Sequence, residues 1–125
     1  MPRTVLIVDD DADIRNGLEE LLQTEGYYTM AVASGQQALE CLTDQRPCLI
    51  IADFLMPDMN GIELAQALQR TPGHARIPMI LFTAANKRSL GGQLTTPVLT
   101  KPVTIDALLR VLKEHCGPKD VDSAA

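Results

Sequence analysis

The feature that most constrains this chain is an alternation. Short runs of aliphatic and β-branched residues are separated by stretches whose apolar residues recur at helical spacing. Thr4–Val8 (TVLIV) is a nearly continuous apolar run, the pattern of a strand covered on both faces. Ile14, Leu18, Leu21 and Leu22 then follow at helical intervals, with a stop expected near Gly26. Residues 28–33 form a second strand candidate. Ser34 and Gln37 match a capping box, opening a helix that carries Ala38, Leu39 and Leu42. Residues 48–52 (CLIIA) read as a third buried strand ending at Asp53.

A turn-rich stretch, Pro57-Asp58-Met59-Asn60-Gly61, comes next, and Asn-Gly is expected to supply a positive φ there. Ile62, Ala65 and Leu68 mark a third helix, broken by Pro72-Gly73. Residues 79–82 form a fourth strand with Thr83 at its end, and Val98–Thr100 a short fifth, followed by Lys101-Pro102. Ile105, Leu108, Leu109 and Leu112 share one face of a last helix, closed by Gly117-Pro118. Strict β/α alternation predicts an α/β fold with a doubly wound, five-stranded parallel sheet and helices on both faces. Only residues 84–97 join strands four and five, so the fourth helix is expected to be short or irregular.

A chain of 125 residues suits one domain, placed at 1–117, with the polar tail 118–125 expected to be disordered. The net charge of −5 argues against nucleic-acid binding by this domain. No apolar segment has the length of a signal peptide or a membrane span, so a cytoplasmic location is expected. Cys41, Cys48 and Cys116 form an odd set without a CxxC pair, and are expected to be reduced, partly buried thiols.

In open α/β sheets, ligands bind beyond the carboxyl ends of the strands. Those ends carry Asp9-Asp10, Asp53, Thr83 and Lys101. Carboxylates gathered at one rim stay ionised together when a cation joins them, and all-oxygen donors suit Mg²⁺. A lysine and a hydroxyl beside them could hold phosphoryl oxygens, which makes Asp53 the best nucleophile candidate. Each residue also has a plainer reading. Asp11 is best read as an N-cap, Asp53 alone could be a turn residue, Thr83 a strand residue, and Lys101 a solvated charge.

Taken in order, VLIVDDD, ADFLMPDMNG, LFTA and LTKP resemble the motifs of bacterial response-regulator receivers of the chemotaxis-regulator kind, across 4–116. The resemblance implies a flavodoxin-like strand order, 2-1-3-4-5. It also implies that Asp53 accepts a phosphoryl group from a histidine kinase or phosphotransfer protein. Asp10 and Asp53 would bind Mg²⁺ directly, Asp9 through water, and Leu55 through its backbone carbonyl. Thr83 and Lys101 would hold phosphoryl oxygens, with a cis Lys101–Pro102 bond. Output would pass to an unknown downstream protein, from a monomer or weak dimer that catalyses only its own phosphorylation and dephosphorylation. Two features depart from the family. Val98 stands where many receivers carry a switching aromatic, and Leu55 and Ala85 are apolar where the family tunes dephosphorylation, which implies slow-to-moderate self-hydrolysis. The alternative is a pseudo-receiver that keeps the fold and serves as an interaction module. A haloacid-dehalogenase-type phosphatase is disfavoured because Leu55 stands where its second Asp is needed.

Overall fold

The computed structural model describes residues 4–53, 56, 58–74, 77–83, 98–100 and 105–116. In chain order these form β1 (Thr4–Val8), α1 (Ala12–Thr24), β2 (Tyr28–Val32), α2 (Gly35–Cys41), β3 (Leu49–Asp53), α3 (Gly61–Arg70), β4 (Met79–Thr83), β5 (Val98–Thr100) and α4 (Ile105–Cys116). The strands pair in parallel in the order β2-β1-β3-β4-β5. The connection 84–97 and its expected helix lie outside the described residues, as does the tail.

The alternating strand residues divide between two cores. Val5, Ile7, Leu49, Ile51, Ile80 and Phe82 face α1 and α4, where Leu22, Leu108 and Leu112 close the layer. Leu6, Val8, Ile50, Ala52, Met79 and Leu81 face α2 and α3, against Ala38, Leu42, Leu64 and Leu68. Covering on both faces explains why β1 and β3 read as unbroken apolar runs. Burying each large aliphatic side chain stabilises the fold by roughly 1.5–3 kcal/mol, so these two layers supply most of the driving force. No helix among the described residues is long and apolar enough to cross a membrane.

The helix starts follow from side-chain capping. Asp11 caps α1, its carboxylate accepting from the N–H groups of Asp13 and Ile14. Gly26 takes φ +94° just past α1, as a helix-ending glycine does. Ser34 caps α2 through Gln37 N–H, but the reciprocal bond shifts by one residue: Gln37 Oε1 accepts from Ala33 N–H at 2.8 Å. The complete capping box belongs to Asn60 and Glu63 at α3. This corrects the reading of Asn60-Gly61 as a positive-φ turn. Asn60 is extended at φ −82°, its side chain is committed to the cap, and Gly61 opens the helix.

The cysteines also need correction. Cys48 and Cys116 form a disulfide, with their Cα atoms 5.3 Å apart. Spacing along the chain gave no sign of it because the pairing is created by topology: the residue preceding β3 meets the end of the last helix beneath the sheet. Cys41 remains a free thiol on α2, within 3.7 Å of Met30 Sδ. Burial, aided by the nearby Asp44 charge, pushes its pKa up.

Candidate phosphoryl-transfer site

β1 and β3 are neighbours in register, with Val8 opposite Ala52. The next residue along each is an acid: Asp9 follows β1 and Asp53 ends β3. Asp10 follows in the turn to α1. One carboxylate oxygen from each of Asp9, Asp10 and Asp53 lies within 4.8 Å of the others. Asp9 is only 2% exposed, Asp53 is half-buried and Asp10 is exposed. The cluster thus runs from a buried acid at the sheet's carboxyl end out to one exposed to solvent.

The turn between β1 and α1 is tied at successive groups. Asp9 N–H donates to Val32 O at 3.1 Å, and the Asp9 carboxylate accepts from Asp11 N–H at 2.9 Å. Arg15, one turn into α1, reaches back so that Nη1 donates to the Asp9 carbonyl at 2.7 Å. Across the site, Asp58 accepts from Gly35 N–H at 3.2 Å and Gln36 N–H at 2.8 Å, fastening the loop after β3 to the start of α2. These bonds, led by that from Gln36, hold the Asp58 pKa below its ordinary value. Gly35 lets the loop come close, since a Cβ there would stand 2.5 Å from Met59 Cγ.

Of the residues singled out from the sequence, Asp9, Asp10 and Asp53 come together. Asp11 does not join them; it is spent on capping. Thr83 ends β4, with Thr83 opposite Thr100 and Asp53 opposite Phe82, so its backbone stands on the same rim. Nothing is described of its side chain, and Leu55, Lys101 and the Lys101–Pro102 bond lie outside the described residues. Sequence reasoning missed Arg15 and Asp58. An arginine one turn into the helix after an acidic strand end is a usable signal for the first. Asp58 has none, because its partners lie 22 and 23 residues away.

The donor set fits a hard divalent ion. It is all oxygen, and one of its carboxylates is buried beside two others, where a cation offsets like-charge repulsion.

Comparison with known proteins identifies the family. The family model of the response regulator receiver domain matches residues 5–113. The phosphate regulon transcriptional regulatory protein PhoB of Pseudomonas aeruginosa is 33% identical over 128 residues, covering 97% of this chain. The match takes in 56% of the length of PhoB. Among solved structures, the chemotaxis response regulator CheY4 of Vibrio cholerae is similar with a TM-score of 0.81 and 30% identity, over 91% of this chain and 98% of that one. The receiver domain of the sensor histidine kinase PA1611 from Pseudomonas aeruginosa, which has a magnesium ion coordinated in its active site cleft, gives a TM-score of 0.82 at 26% identity, over 94% and 99% of the two chains. The chain belongs to the response regulator receiver domain family of two-component systems.

Proposed function

We propose that this receiver accepts a phosphoryl group on Asp53, from a histidine kinase or a phosphotransfer protein, with Mg²⁺ bound. The observation that carries the reading is the convergence of Asp9, Asp10 and Asp53 on one oxygen-rich rim. In the transfer, an Asp53 carboxylate oxygen attacks phosphorus. A P–O bond forms as the donor's P–N bond breaks, and the imidazole leaves with its electron pair. Mg²⁺, when bound, offsets negative charge on the transferring group and its acceptor. Asp10 and Asp53 would hold it directly, Asp9 would act through water, and the Leu55 carbonyl would be a further donor. Thr83 and Lys101 hold the remaining phosphoryl oxygens.

The receiver occupies 1–117 and acts in the cytoplasm, with catalysis limited to its own phosphorylation and dephosphorylation. The signal passes to a downstream protein by contact. The acidic chain, at −5, does not favour a nucleic-acid partner for this domain.

Incubation with a small phosphodonor such as acetyl phosphate or phosphoramidate, read by intact mass, tests the reading. One Mg²⁺-dependent phosphoryl adduct, absent in Asp53→Asn and in EDTA, is expected. A folded, Mg²⁺-bound protein that forms no adduct with either donor overturns it.

A further inference from the structure

The carboxylates of the rim are the obvious machinery, yet the backbone that aims two of them is anchored by a cation. We infer that Arg15 is a positioning residue of the Mg²⁺ site, acting through its bond to the Asp9 carbonyl. The inference rests on the Mg²⁺ reading given above.

The Asp9 carbonyl belongs to the planar peptide unit that joins Asp9 to Asp10. Fixing its oxygen fixes the rotation of that plane, and with it ψ of Asp9 and φ of Asp10. The 2.7 Å bond from Arg15 Nη1 does this from α1, which is itself held by the Asp11 cap and by Arg15 N–H donating to Asp11 O at 3.0 Å. On the other side of Asp9, its N–H is held by Val32 O. The start of the Asp10 side chain is thus set by neighbours on two elements, although Asp10 itself is exposed. A bond from a charged donor to a neutral acceptor is stronger than one between neutral groups, and half-burial of Arg15 limits competition from water.

Arg15 affects the site in two ways that oppose each other. Its positive charge close to the carboxylates repels a second cation, so charge alone predicts that removing it tightens Mg²⁺ binding. Its hold on the 9–10 peptide predicts the reverse. The second effect is expected to prevail, because the bond holds the peptide that joins Asp9 to Asp10, whereas Arg15 is only half-buried and Asp10 is exposed, so solvent and salt screen the repulsion.

The sign of the change therefore decides the matter. Mg²⁺ is titrated into wild type, Arg15→Met and Arg15→Lys, with the dissociation constant read from backbone amide chemical shifts and folding checked by circular dichroism. Arg15→Met is expected to weaken Mg²⁺ binding at least fivefold, and Arg15→Lys, which keeps a donor of similar reach, to recover most of the loss. Arg15→Gln, too short to reach the carbonyl, carries the expectation of Arg15→Met should that variant not fold. Unchanged or tighter binding in the folded Met or Gln variant overturns the inference while leaving the receiver reading intact. Wild type that binds no Mg²⁺ overturns both.

Discussion

Cys48 and Cys116 join the foot of β3 to the last residue of α4, their Cα atoms 5.3 Å apart and their sequence positions 68 apart. The strand fixed at its foot by this bond carries Asp53 at its other end. Closing a loop of that length restricts the unfolded chain and stabilises the fold by about 2–4 kcal/mol. Reduction, or Cys48→Ser, should lower the melting temperature by roughly 10 °C. Alkylation in denaturant should label one cysteine, Cys41, before reduction and all three after it. Three labels without reductant would show that the bond does not form.

Asp58 caps α2 from a distant loop, through Gly35 and Gln36. Asp58→Ala should cost about 1 kcal/mol in chemical denaturation, in line with the loss of a helix cap. The pH dependence has a definite sign. The folded pKa lies below the ordinary value, so this contribution is present above the unfolded pKa near 3.8 and is lost as pH falls through the folded one. The gap between wild type and Asp58→Asn should accordingly narrow in acid and persist at neutral pH. A gap that widens in acid would contradict the assignment.

Gly35 and Met59 occupy space that a single added methyl would fill twice. Gly35→Ala should destabilise the fold by about 1–3 kcal/mol through overpacking. In a Met59→Ala background, which removes the atoms in the way, the penalty should fall well below that. Equal penalties in the two backgrounds would mean that the contact does not govern the site.

The strands were readable because this sheet is covered on both faces, so TVLIV and LIIAD carry buried residues without interruption. The acidic rim was readable for a related reason: an acid follows β1 and another ends β3, and adjacent parallel strands end side by side. What escaped depends on contacts between distant segments or on competition between local ones. The Cys48–Cys116 pair exists only once α4 is laid beneath β3. Asp58 looked like a turn residue because its partners are on α2. Asn60 could have served a positive-φ turn or a cap, and the glutamate three residues later, Glu63, was the overlooked sign that the cap prevails.

On the proposed function Asp53, and not one of the two acids beside it, takes the phosphoryl group. Borohydride cleaves an aspartyl phosphate to the alcohol, converting the modified aspartate to homoserine. After reaction with acetyl phosphate and Mg²⁺, borohydride treatment and peptide sequencing by mass spectrometry should find homoserine at position 53 alone. Homoserine at position 9 or 10, or at none of the three in protein that carries the phosphoryl adduct, would rule out Asp53 as the acceptor.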